Sequence, residues 1–219
     1  MTGVTDTLAL TLTFDVTVFL ATFLVIFPAE LPDKSFIATL VLATRFPRLW
    51  VWLGATVAFA LQMIIAVAAG QVLSLLPQRI VLGVTAALFA VGAVLLTRAG
   101  LRARSDEDAE AAEEIEEIER VASGRGRGAA AAFATSFAVI FTAEWGDLTQ
   151  LIAAGQAART GAAFSVFLGA WLAESAVAGF GVLIGSWLQE RVALWRLGIV
   201  SGVVLAILAI VTVVELIRV

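Results

Sequence analysis

Apolar residues run in long stretches along this chain, interrupted at two similar places by acids and at one place by a block of charge. A helix needs about 20 mainly apolar residues to cross the hydrocarbon core of a bilayer. Six stretches reach that length: residues 10–45, 49–73, 79–98, 129–158, 163–188 and 193–217. The first and fourth are too long for one straight crossing, and each carries an acidic motif near its middle. In the first, Pro28 and Pro32 lie one turn apart, and each removes a backbone hydrogen bond. Broken backbone at membrane depth is tolerated only where protein buries it or where it lines a cavity. The pattern predicts an all-α membrane protein of six spans, with spans 1 and 4 broken at their acidic motifs. The N-terminal stretch lacks the basic region of a secretory signal and carries Asp6 and Asp15, so it reads as a retained first span.

The charged block, residues 99–128, divides the chain into a first three-span unit (1–98) and a second (129–219). Nine acids fall between Asp106 and Glu119, followed by SGRGRG. Ser105 with Asp108 resembles a capping box, so a short exposed helix is expected within a solvated linker. An acidic antenna that concentrates cations is the sharper alternative.

The two units repeat one another. FPAELPDKS (Phe27–Ser35) and FTAEWGDLT (Phe141–Thr149) share Phe, Ala, Glu, Asp and a hydroxyl residue at an offset of 114 residues. Downstream, Trp52–Ala55 (WLGA) matches Phe167–Ala170 (FLGA), and Gly70 matches Gly185, at an offset of 115. Three spans per repeat force the halves into opposite orientations, the inverted-repeat plan of secondary transporters, with the binding site at the midplane. The loops after spans 1, 3 and 5 hold ten arginines: Arg45, Arg48, Arg98, Arg102, Arg104, Arg120, Arg125, Arg127, Arg191 and Arg196. The other side holds three, Arg79, Arg159 and Arg218. That asymmetry predicts a cytoplasmic linker and external termini in a cell (inner) membrane.

Composition narrows the chemistry. Of 219 residues, 61% are hydrophobic and 15% charged, against about 25% charged in soluble domains. Net charge is −4, so no basic surface invites nucleic acid. The absence of Cys, His and Tyr excludes disulfides, thiol redox chemistry, Cys/His metal sites and a histidine base. Any metal must be held by oxygen, which suits hard divalent cations.

Glu30 and Asp33 are three residues apart, as are Glu144 and Asp147, a spacing that aims both carboxylates of a pair at one point. Inverted symmetry brings the pairs together from opposite sides. Four carboxylates in a low-dielectric pocket must take up protons, bind cations or pair with Lys34. Ser35, Thr149 and Gln150 add neutral oxygens just beyond each Asp. Divalent ions and protons competing for one set of oxygens is the requirement for cation/proton exchange. The bland alternative is that these acids cap broken helix ends or form buried ion pairs.

The doubled motif resembles the Glu-x-Gly-Asp-(Lys/Arg)-(Ser/Thr) signature of the GDT1 family. The resemblance implies a six-span antiporter of Mn²⁺ and Ca²⁺ against protons, with manganese export the usual assignment in bacterial members. Carried over by position, the motif residues are Glu30, Asp33, Lys34 and Ser35, then Glu144, Gly146, Asp147 and Thr149. Pro32 stands where the family has Gly, Leu148 where it has Lys or Arg, and Phe36 faces Gln150 across the repeat. The half-sites are therefore unequal, and Leu148 leaves the empty site more negative.

Glu174, in WLAESAVAG, has no acid at its repeat partner Phe59. It is either a proton-relay carboxylate or a hydrogen-bonding group within the bundle or a dimer interface. Asp15 reads as structural, Gln62 as interhelical glue, and Trp50, Trp52, Trp187 and Trp195 as interfacial anchors. The expected partners are divalent cations, protons and the bilayer, with a homodimer left open, and no resident cofactor is expected. An exporter of another small cation or amino acid, an intramembrane aspartyl enzyme using Asp33 and Asp147, and a scaffold organised by the linker are the competing readings.

Cysteines introduced singly at Ala109 and Thr2 test the orientation. An impermeant thiol reagent applied to intact cells is expected to label Thr2→Cys and spare Ala109→Cys; labelling of Ala109→Cys overturns the assignment.

Overall fold

The computed structural model describes residues 14–31, 34–123, 126, 128–191 and 194–218. Eight helices carry nearly all of these residues, and no strand occurs among them. They are α1 (Val16–Glu30), α2 (Lys34–Arg45), α3 (Arg48–Leu73), α4 (Gln78–Ser123), α5 (Ala129–Ala143), α6 (Leu148–Thr160), α7 (Ala163–Arg191) and α8 (Leu194–Arg218). Helices α3 and α7 and the first 18 residues of α4 are long and apolar enough to cross a membrane. Two bent pairs raise that number to five if each counts as one crossing: α1 with α2, at 66°, and α5 with α6, at 73°. The chain is a multi-pass membrane protein.

Local chemistry sets the ends. Asp15 caps α1, its carboxylate accepting from Thr17 N at 2.8 Å and Val18 N at 3.1 Å. Its own N–H donates to Ser165 Oγ on α7 at 2.7 Å, so the expected structural role is visible as a cap and a tie. The acidic block is not a separate short helix; it continues α4, which is 46 residues long in all. Ala and Glu favour helix throughout, and Glu116 pairs with Arg120 one turn on at 3.1 Å, so nothing in the segment stops the helix. The far end of α4 is not solvated all round. Ile118 and Ala122 are buried in one cluster with Val41, Leu42 and Phe46.

The halves interlock reciprocally. A Cβ on Gly54 of α3 would lie 2.5 Å from Phe133 O of α5, and one on Gly169 of α7 would lie 2.6 Å from Phe19 O of α1. Gly54 and Gly169 are repeat partners, and so are Phe133 and Phe19. The backbones touch at these crossings because glycine leaves room, the close approach that small residues permit between membrane helices. Gly70 of α3 likewise meets Ala154 O of α6, and Gly181 of α7 meets Thr39 and Phe36 of α2. Each half therefore packs its long helix into the bent pair of the other.

Two tryptophans brace the centre. Trp52 Nε1 donates to Ser175 O at 2.8 Å, and Trp171 Nε1 donates to Thr56 O at 3.0 Å, tying α3 to α7 in both directions. Trp52 is thus an internal strut and not the interfacial anchor that its place near a span end suggests. Gln62 acts as the expected glue, donating to Phe141 O at 3.1 Å.

Valine at Gly54 or Gly169 would force a backbone carbonyl aside. We expect a loss of roughly 1–3 kcal/mol or more of stability in either variant, as overpacking gives, seen as a lowered unfolding temperature in detergent. Gly83→Ala, where a Cβ meets nothing within 4 Å, should unfold like the wild type.

Candidate metal-ion site at the two helix breaks

Each acidic motif sits where one helix stops and the next starts. Glu144 is the C-cap of α5, its N–H still bonded to Ile140 O at 3.1 Å. Gly146 then adopts φ +79°, a left-handed conformation that favours glycine, and the chain turns. Asp147 caps α6, accepting from Thr149 N at 3.2 Å. Gln150 reaches back over the turn, its Nε2 donating to Glu144 O and its Oε1 accepting from Gly146 N at 3.3 Å. Both ends of that amide hold backbone, so Gln150, expected as a neutral ligand, braces the turn that presents Glu144.

In the first half, Glu30 is the last residue of α1, with Pro28 in its final turn, and α2 begins at Lys34. Ser35 Oγ donates to Glu30 Oε2 at 2.9 Å within the buried interior. Asp33 lies outside the described residues, as does the Lys34 side chain.

The breaks meet. Carboxylate oxygens of Glu30, Glu144 and Asp147 all lie within 4.8 Å of one another. Glu30 is 1% exposed and Glu144 4%, while Asp147 is half-buried. Oxygens bound to one Ca²⁺ at 2.3–2.6 Å lie no more than about 5 Å apart, so this trio has the dimensions to share one ion. Three carboxylates this close in a low-dielectric interior require a cation or protons among them.

Thr149 extends the cluster. Its Oγ1 lies 3.2 Å from Asp147 Oδ2 and 3.3 Å from Glu174 Oε1, and Glu174 is 2% exposed on α7. A threonine hydroxyl carries one proton, so it donates to only one of the two acids at a time. It bonds both together only when one of them is itself a donor. Glu174 thus hydrogen-bonds within the bundle, next to the acidic cluster. Leu148 is half-buried and packs against Gly92 of α4 and Leu205 of α8, where the signature has a basic residue.

Sequence reasoning missed one repeated feature. Phe19, Phe23 and Phe27 line α1 with centroids 6.5 and 5.4 Å apart, the first pair tilted and the second stacked, and Phe133, Phe137 and Phe141 stack along α5 at 6.5 and 5.5 Å. The ladders are repeat partners throughout, and the spacing F-x-x-x-F-x-x-x-F before each motif was their signal.

No solved structure matches the chain. The chain is 32% identical over 204 residues to the "GDT1-like protein sll0615" of Synechocystis, covering 90% of this chain and 96% of that protein. The family model described as "Divalent cation/proton antiporter GDT1" matches twice, over residues 18–104 and 132–218, one match for each half of the duplicated chain. The two halves that meet at these carboxylates are two copies of one family unit, and the chain belongs to the GDT1 family of divalent cation/proton antiporters.

Proposed function

We propose that this protein exports Mn²⁺ across the cell (inner) membrane in exchange for protons, with Ca²⁺ as a second substrate, through one site shared by its two halves. The observation that carries this reading is the meeting of Glu30 with Glu144 and Asp147, acids 114 residues apart in a duplicated motif, within 4.8 Å. The ion is the cargo. Glu30, Glu144 and Asp147 supply charged oxygens, Asp33 completes the set by its place in the first motif, and Ser35 and Thr149 supply neutral oxygens. Gln150 supports them by holding the turn. Lys34 is the counterion of the empty site.

The odd number of spans per repeat and the reciprocal contacts between halves support six spans arranged as inverted repeats. In this reading each bent helix pair is one broken span, the acidic stretch of α4 is cytoplasmic, and both termini are external. The broken ends would place the site near the midplane, open to either face in turn.

Exchange follows from competition. A divalent cation needs deprotonated carboxylates, so its binding releases protons, and rebinding protons expels it. Glu174 is the proton carrier beside the site: a protonated Glu174 can donate to Thr149 Oγ1 while that hydroxyl donates to Asp147. Leu148 in place of a cation leaves more negative charge for protons to neutralise.

In proteoliposomes loaded with a pH dye, added Mn²⁺ or Ca²⁺ is expected to drive proton movement in the opposite direction. Silence of the dye with both ions would defeat the antiport reading. Glu30→Gln, Asp33→Asn, Glu144→Gln and Asp147→Asn should each slow exchange about 10²-fold, as loss of roughly 3 kcal/mol of ion binding gives, with the protein still folded in the membrane. Normal exchange by Asp33→Asn beside a dead Asp147→Asn would confine the site to the second half. Apparent affinity for Mn²⁺ should weaken as pH falls, because protons then occupy the oxygens; metal titrations of purified protein check this, and a pH-independent affinity would exclude direct competition.

A further inference from the structure

The two short helices that start at the motifs also end alike. Arg45 closes α2 and Arg159 lies in the last turn of α6, and they are repeat partners, 114 residues apart. Arg45 is ion-paired to a glutamate in the acidic stretch of α4, and Arg159 to one near the end of α8. Arg45 Nη2 lies 2.9 Å from Glu119 Oε1 on α4, and Arg159 Nη1 lies 3.0 and 3.1 Å from the two oxygens of Glu215 on α8.

The pairs differ in strength. Arg159 is 18% exposed, binds both oxygens of Glu215 and also donates through Nη2 to Gln156 Oε1 at 2.9 Å. Arg45 and Glu119 are 40% and 44% exposed and make one contact. Exposed ion pairs hold weakly enough for thermal motion to break them; Glu215 is 42% exposed, close to Glu119, and the difference lies in the less exposed Arg159 and its added bond to Gln156.

Helices α2 and α6 are short, 12 and 13 residues. Each presents a site group at its start, Ser35 on α2 and Asp147 with Thr149 on α6. Displacing the far end of either helix therefore moves oxygens at the site. We propose that Arg45–Glu119 and Arg159–Glu215 are a pair of ionic latches, one at each membrane face, that open alternately to admit the ion from either side. The assignment of opposite faces rests on the inverted-repeat reading above. Both latches are closed here, with Glu30, Glu144 and Glu174 buried and Asp147 half-buried. Arg45, Glu119, Arg159 and Glu215 act on the ion through the helices they hold, as positioning residues.

The test uses the full-length protein in nanodiscs, with spin labels on cysteine pairs beside each latch. Thr44→Cys with Arg120→Cys reports the first, and Thr160→Cys with Ile217→Cys the second. Pulsed spin-resonance distances are measured with and without saturating Ca²⁺, which is diamagnetic. A second, longer distance at one pair while the other stays short, with populations shifted by Ca²⁺, is the expected result. One fixed short distance at both pairs in both conditions overturns the proposal. Charge swaps supply an independent reading in proteoliposomes. Arg45→Glu and Glu119→Arg should each slow exchange about three- to tenfold, and the double variant should recover most of it, the signature of direct coupling; Arg159→Glu with Glu215→Arg should behave alike. Doubles no faster than their singles would refute the pairing. Wild-type vesicles that move no protons would sink the antiport reading instead, and the spin-label distances would still decide the latches.

Discussion

A peptide group in lipid has no water to bond, and each one left without a partner costs several kcal/mol. Everything around the acidic motifs answers to that constraint. The two acidic motifs interrupt their helices, and each interruption frees backbone donors and acceptors. At the second motif the side chains take up that role: Asp147 accepts Thr149 N, Gln150 spans Glu144 O and Gly146 N, and Gln62 reaches Phe141 O from another helix. Such partners exist only where helices surround the break. The glycine crossings that bring backbones into contact are thus a condition of having the site, as well as a source of packing.

The acids themselves obey the same logic. Buried carboxylates this close are tolerable only with counter-charges or shared protons. Leu148 shows the substitution concretely: the position packs into an apolar cluster with Gly92 and Leu205, and the cation the signature expects there is gone. Glu174, joined through Thr149, adds one more acid to the same side.

Much of this was legible in the sequence. The duplicated Glu-x-x-Asp, the two overlong apolar stretches and the missing Cys and His pointed to an oxygen-lined site at two helix breaks. The structure brings Glu30, Glu144 and Asp147 together, while Asp33 falls outside the described residues. What could not be read were features that depend on side-chain direction. Gln150 sits one residue from a motif oxygen, yet its amide turns back to the backbone. Trp52 lies near a span end, yet its ring points into the bundle. The acidic stretch has the charge of a linker, but its Ala and Glu content lets α4 run on, and two apolar residues at its end suffice to dock it. Glu174 had no acid at its repeat partner Phe59, so symmetry could not place it.

The reciprocal contacts between the halves have the form of an isologous interface, in which one patch meets its own copy. Were the halves separate identical chains, every change at the shared site would occur twice, and the two half-sites would have to stay equal. One continuous chain lifts that degeneracy. It lets Gly146 face Pro32, Leu148 face Lys34, and Glu174 stand opposite Phe59 in a single molecule. Covalent fusion therefore contributes something no symmetric dimer can have: a site with a direction built into its chemistry.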